Sequence, residues 1–132
     1  MLMKIIAVII LLCSSMLSAS GLNWLHDYDA ALRSAKAEKK DIYLFIGADR
    51  CRFCKKFKET TLTDKEVKRT LSKHFVTLYL SRDRHAVPDG FERFGVPRHY
   101  FLDANGKILD EDAGLLDPEA FLGLLNEVQL YR

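Results

Sequence analysis

The sequence predicts an α/β domain built on a central mixed β-sheet with helices on both faces. Three observations predict it. Two short apolar runs, 42–48 (IYLFIGA) and 75–80 (FVTLYL), have the length and the β-branched and aromatic content of buried strands. Two segments of helical character lie between them, so the strands are joined by a crossover and run parallel. Downstream, HYFLD and KILDE flank Ala104-Asn105-Gly106, a turn signal that adds an antiparallel hairpin.

Each element has a local reason. Residues 26–40 place Tyr28, Ala31, Leu32 and Ala35 at helical spacing among good helix formers, with Asp27 or Asp29 as the cap. The run at 42–48 follows as a buried strand. Residues 52–60 open a helix directly after Cys51. Asp64 caps the next one, DKEVKRTLSKH, with Val67 and Leu71 facing inward. The strand at 75–80 leads into a polar connection with a turn at Pro88-Asp89-Gly90. After the hairpin, Asp117-Pro118 opens a final helix with proline at its first position. The order is α-β-α-α-β-β-β-α, with no internal repeat.

The length of 132 residues supports one small domain. At 48% hydrophobic and 29% charged residues, the chain is globular rather than disordered. Twenty basic against eighteen acidic residues leave a net +2, too balanced for a general polyanion binder, so no nucleic-acid partner is expected. Three cysteines are too few for a disulfide-dense scaffold.

Residues 1–20 read as a secretory signal peptide rather than as part of the fold. Lys4 precedes an apolar run from Ile5 to Leu12, and small residues follow, with cleavage expected after Ala19 or Ser20. The alternative is an uncleaved anchor, for which the run is short. The domain is then 21–132, a periplasmic or secreted product. Cys13 leaves with the leader, so Cys51 and Cys54 can pair only with each other, in a compartment that favours disulfides.

The chemistry lies in Cys51-Arg52-Phe53-Cys54, which follows a buried strand and opens a helix. At that position unpaired helix N–H groups and the helix dipole stabilise a thiolate, lowering the pKa of Cys51. Cys54 lies about one turn on, within reach of a disulfide. Cys51 is therefore the attacking sulfur and Cys54 the resolving one. Arg50 and Arg52 flank the nucleophile and are candidates for tuning its pKa, whereas Lys56 and Lys58 read as a solvated face. Two other readings exist for the motif. A structural disulfide gains little over so short a loop. A zinc site wants four ligands, and His74, His85 and His99 show no paired spacing. No metal or organic cofactor is implied. His99 reads as an ordinary strand residue and His85 as loop surface. Trp24 and Phe45, Phe57, Phe75, Phe101 and Phe121 read as core.

Three stretches carry a family resemblance: W-x3-Y-x2-A-L-x2-A-K from Trp24, IYLFIGADRCRFCKKF at 42–57, and GVPRHYFLDANGK at 95–107. They resemble the thioredoxin superfamily, and look most like small exported thioredoxin-like proteins and the C-terminal periplasmic domain of transmembrane disulfide reductases. The resemblance implies a thioredoxin-like fold, a cis bond at Val96–Pro97, and a client segment that pairs with the backbone beside Pro97. Arg50 stands where the family carries tryptophan, and Phe45 where thioredoxin carries a buried acid. The function expected is a monomeric thiol-disulfide oxidoreductase acting on client proteins, with a membrane redox protein as partner. The alternatives are an oxidase or isomerase of the same fold, or a non-catalytic metallochaperone or assembly adaptor.

Overall fold

A computed structural model describes residues 21–131, so the expected leader at 1–20 lies outside the described residues. The elements are α1 (Tyr28–Glu38), β1 (Asp41–Gly47), α2 (Arg52–Thr60), α3 (Lys65–His74), β2 (Phe75–Ser81), β3 (Arg98–Leu102), β4 (Ile108–Ala113) and α4 (Pro118–Leu130). The sheet order is β2-β1-β3-β4. β1 pairs parallel with β2, from Asp41 opposite Phe75 to Gly47 opposite Ser81. β3 runs antiparallel to β1, and β4 to β3. This is the expected mixed sheet.

β1 is central and buried along its whole length, which is why it reads as a continuous apolar run rather than an alternating one. Its side chains still divide by period two. Tyr43 and Phe45 join Phe57, Val67, Leu71, Phe101, Phe121 and Leu125 under α2, α3 and α4. Ile42, Leu44 and Ile46 join Leu78, Leu80, Tyr100 and Leu102 under α1 and the 82–97 connection. Ala31 and Ala35 are the buried residues of α1, and their small size lets that helix lie close to the sheet.

The caps follow the sequence closely. Asp27, Asp64 and Asp117 each accept a hydrogen bond from a first-turn N–H of α1, α3 and α4. Both sheet edges are guarded. Leu25 bridges to Leu78 outside β2, and the outer strand β4 carries Asp110, Glu111 and Asp112. Between β3 and β4, Gly106 has φ +85°, and a Cβ there would collide with the Tyr28 hydroxyl. No helix of the described residues is long and apolar enough to cross a membrane.

Candidate redox site

The site forms where β1 ends and α2 begins. Cys51 is the N-cap of α2, with extended backbone at φ −132° and ψ 104°. The Cys54 N–H donates to the Cys51 sulfur at 3.1 Å. A cap position usually filled by the oxygen of Ser or Asp is here filled by a sulfur, so an orphan helix donor points at Cys51 Sγ. Cys51 and Cys54 form a disulfide with Cα atoms 5.2 Å apart. Cys51 is half-buried and Cys54 is buried against the core. The outer sulfur is therefore the one a second protein can reach.

The second wall of the site comes from the turn before β3. The Val96–Pro97 peptide is cis, as the resemblance implies. The Val96 carbonyl oxygen lies 3.9 Å from the Cys51 sulfur. Among the described residues neither the N–H nor the C=O of Val96 has a backbone partner. The Pro97 carbonyl is held from behind by the Gly114 N–H at 2.8 Å.

Two networks outside the motif position these pieces. The first ties the loop before Cys51 to the loop after β2. The Asp49 carboxylate accepts from the Ser81 hydroxyl at 2.8 Å and from Arg84 Nε at 2.7 Å, and the Asp49 N–H donates to Asp83 at 2.7 Å. The bonds from Arg84 and Ser81 hold the Asp49 carboxyl below the usual carboxylate range. The second lies under Pro97. The Gly114 carbonyl can only accept, so His99 Nε2 carries the proton and donates to it at 2.9 Å. Nδ1 is then an acceptor, and the buried Tyr43 hydroxyl donates to it at 2.7 Å. Burial lowers the affinity of His99 for a further proton, and burial raises the pKa of Tyr43. The ring of Phe57 sits 4.8 Å from that of His99.

Neither network was visible in the sequence. Asp49 and Arg84 are 35 residues apart and Tyr43 and His99 are 56 apart, and nothing in their spacing pairs them. The only local sign was the position of Asp49, two residues before Cys51. His99 is a strand residue as expected, but a wholly buried one with both ring nitrogens used. His85 is half-buried rather than plain surface: it accepts from the Ser81 N–H at 2.8 Å and stacks on His26.

Arg50 and Arg52 are exposed, and among the described residues neither has a hydrogen-bond or ion-pair partner. Lys56 is exposed as expected. Lys58 is exposed as well, with its ammonium 4.1 Å over the ring of Tyr79, beside a cleft lined by Trp24, His26, Phe45 and Leu62. The residue that stands in place of the buried acid, Phe45, is apolar core. No group of three or more His, Cys, Asp or Glu side chains among the described residues is placed to hold a metal ion.

A family model described as thioredoxin-like matches residues 23–104. The chain belongs to the thioredoxin-like family. An oxidoreductase structure, DsbH, superposes on this thioredoxin-like chain with a TM-score of 0.71 at 23% identity, covering 89% of this chain and 90% of that one. The C-terminal domain of DsbD from Neisseria meningitidis, in its reduced form, gives a TM-score of 0.63 at 21% identity over 75% and 91% of the two chains. These likenesses show the fold. In sequence, the thiol:disulfide interchange protein DsbD of Actinobacillus pleuropneumoniae is 31% identical over 98 residues, which is 70% of this chain and 17% of that protein. With its disulfide at the start of α2, the thioredoxin-like chain is a thiol-disulfide oxidoreductase.

Proposed function

We propose that the chain is exported and reduces or exchanges disulfides in client proteins, with Cys51 attacking and Cys54 resolving. The observation that carries this is the setting of the Cys51 sulfur. It caps a helix, accepts the Cys54 N–H, and faces the open backbone of Val96. A thiolate there is stabilised by helix N–H groups, and Arg50 and Arg52 add positive potential. Pro97 shapes the turn, and Val96 offers a donor and an acceptor to an extended client segment.

The exchange balances as two displacements. The Cys51 thiolate attacks one sulfur of the client disulfide, forms a mixed disulfide and releases a client thiolate. Cys54, deprotonated, then attacks the Cys51 sulfur, closes the Cys51–Cys54 bond and releases the second client thiolate. Two electrons have passed to the client. A dithiol partner restores them by the same two steps in reverse. Similarity to part of a thiol:disulfide interchange protein supports such a partner, and the export proposed here would make a membrane redox protein suit that role.

The basic residues beside the motif favour a second reading, an oxidase. A strongly stabilised thiolate leaves easily and makes its disulfide oxidising. Equilibration with glutathione, followed by mass spectrometry of trapped thiols, separates the two. A potential near about −270 mV supports the reductase, and one near about −120 mV the oxidase. A disulfide that does not respond to glutathione would end both readings and leave a binding module.

A further inference from the structure

The charge of this chain is unevenly placed. The two segments that build the redox site, 47–60 and 81–98, hold nine basic and five acidic side chains, a net +4. The rest of residues 21–132 holds ten basic and thirteen acidic, a net −3. The five carboxylates in the site segments are largely engaged at home. Asp49 is paired with Arg84, Asp83 accepts the Asp49 N–H, Glu59 faces Lys55, and Glu92 accepts the Phe94 N–H. Arg50, Arg52 and Lys56 have no such partners among the described residues.

The loop opposite the disulfide is built from arginine as well. Arg82 donates to the Arg93 carbonyl, Arg93 to that of Val87, and Arg98 to that of Phe94. These bonds spend N–H groups and not charge, because a carbonyl leaves the guanidinium cationic. They hold Phe94, 65% exposed, two residues from Val96, with Arg82 stacked 5.4 Å over its ring. Inside the motif, two residues after Cys51, Phe53 is 57% exposed. The chain around the sulfur thus presents two exposed apolar rings among cations, Phe53 between Arg52 and Lys55 in sequence and Phe94 under Arg82.

We propose that this face selects acidic client segments: extended stretches carrying carboxylates on both sides of the reacting cysteine and an apolar side chain beside it. The inference deepens the exchange reading above and rests on it. Opposite charges raise encounter rates, and unpaired buried like charges reject the wrong partner. Arg50 and Arg52 meet the residues next to the client cysteine, while the Arg82–Phe94–Arg98 wall meets the segment that lies along Val96.

The test compares three disulfides against the reduced protein in stopped flow. Two are peptide disulfides identical except for flanking Glu or Lys. The third is neutral hydroxyethyl disulfide, which reads the bare chemistry. The Glu peptide should react at least about tenfold faster than the Lys peptide at low salt, with the gap closing in 0.5 M salt. In Arg52→Glu that ratio should fall toward one. Any change in intrinsic thiolate reactivity cancels in the ratio, and hydroxyethyl disulfide reports it separately. A ratio of one or below in the wild type, with hydroxyethyl disulfide turned over, would overturn the inference alone. No reaction with hydroxyethyl disulfide would remove the exchange reading and this inference together.

Discussion

Replacing His99 with leucine tests the support beneath Pro97. In the native protein His99 takes the Tyr43 hydroxyl at 2.7 Å and gives a proton to the Gly114 carbonyl at 2.9 Å. Leucine fills similar space but satisfies neither group. The Tyr43 hydroxyl is fully buried, so leaving it unpaired costs about 1–3 kcal/mol. Gly114 is half-exposed and water can reach its carbonyl, so its loss lies at the low end of that range. Together they predict a loss of about 3 kcal/mol, a large fraction of the ~5–15 kcal/mol that holds a domain. Urea unfolding measures it. Tyr43→Phe in the same background removes the stranded hydroxyl and should recover about 1 kcal/mol or more. The same histidine sets a pH dependence. Its affinity for a proton is lowered by burial, so near pH 6.5 the unfolded chain takes up a proton that the native chain refuses. Stability is therefore full above about pH 6.5 and falls as the pH drops below it. His85, lowered by burial and by the charge of His26, adds in the same direction, and His99→Gln leaves only that remainder. A His99→Leu loss under about 1 kcal/mol, with the acid slope unchanged in His99→Gln, would refute the tautomer and the network built on it.

Three further outcomes follow from the same geometry. Cys51→Ser should abolish insulin reduction, while Cys54→Ser should still attack and accumulate mixed disulfides that mass spectrometry detects. Asp49→Ala removes an exposed ion pair with Arg84 and also the acceptor of the buried Ser81 hydroxyl, so urea unfolding should show a modest loss of stability, and the freed loop should slow the exchange of hydroxyethyl disulfide several-fold. Phe57→Ala removes a fully buried ring that packs on Phe45, His99 and Phe121, and should cost about 3–5 kcal/mol by urea unfolding.

The fold was legible wherever one short segment carried its own reason. β1 is buried on both faces and runs apolar from Ile42 to Ile46, so its type needed no knowledge of its neighbours. Asp64 and Asp117 cap their helices through residues two or three along the chain, and so they announce themselves locally. The reactive pair was legible for the same reason: cap, donor and partner sulfur all fall within four residues.

What was not legible depends on sequence-distant partners. His99 sits in a strand whose face is set by pairing with β1, and only the register that puts it opposite Phe45 turns it toward Tyr43. Asp49 looks like any loop acid until β2 delivers Ser81 and Arg84 to it. The division has a functional sense. The chemistry of exchange needs a sulfur at a helix start, which a short motif can specify. The placement of that sulfur against Val96 needs separate loops held in one geometry, which only the assembled sheet can specify. Local sequence therefore identifies what reacts. Asp49 on one side and His99 on the other tie down the segments beside it, and changes at either should alter exchange rates while leaving the motif intact.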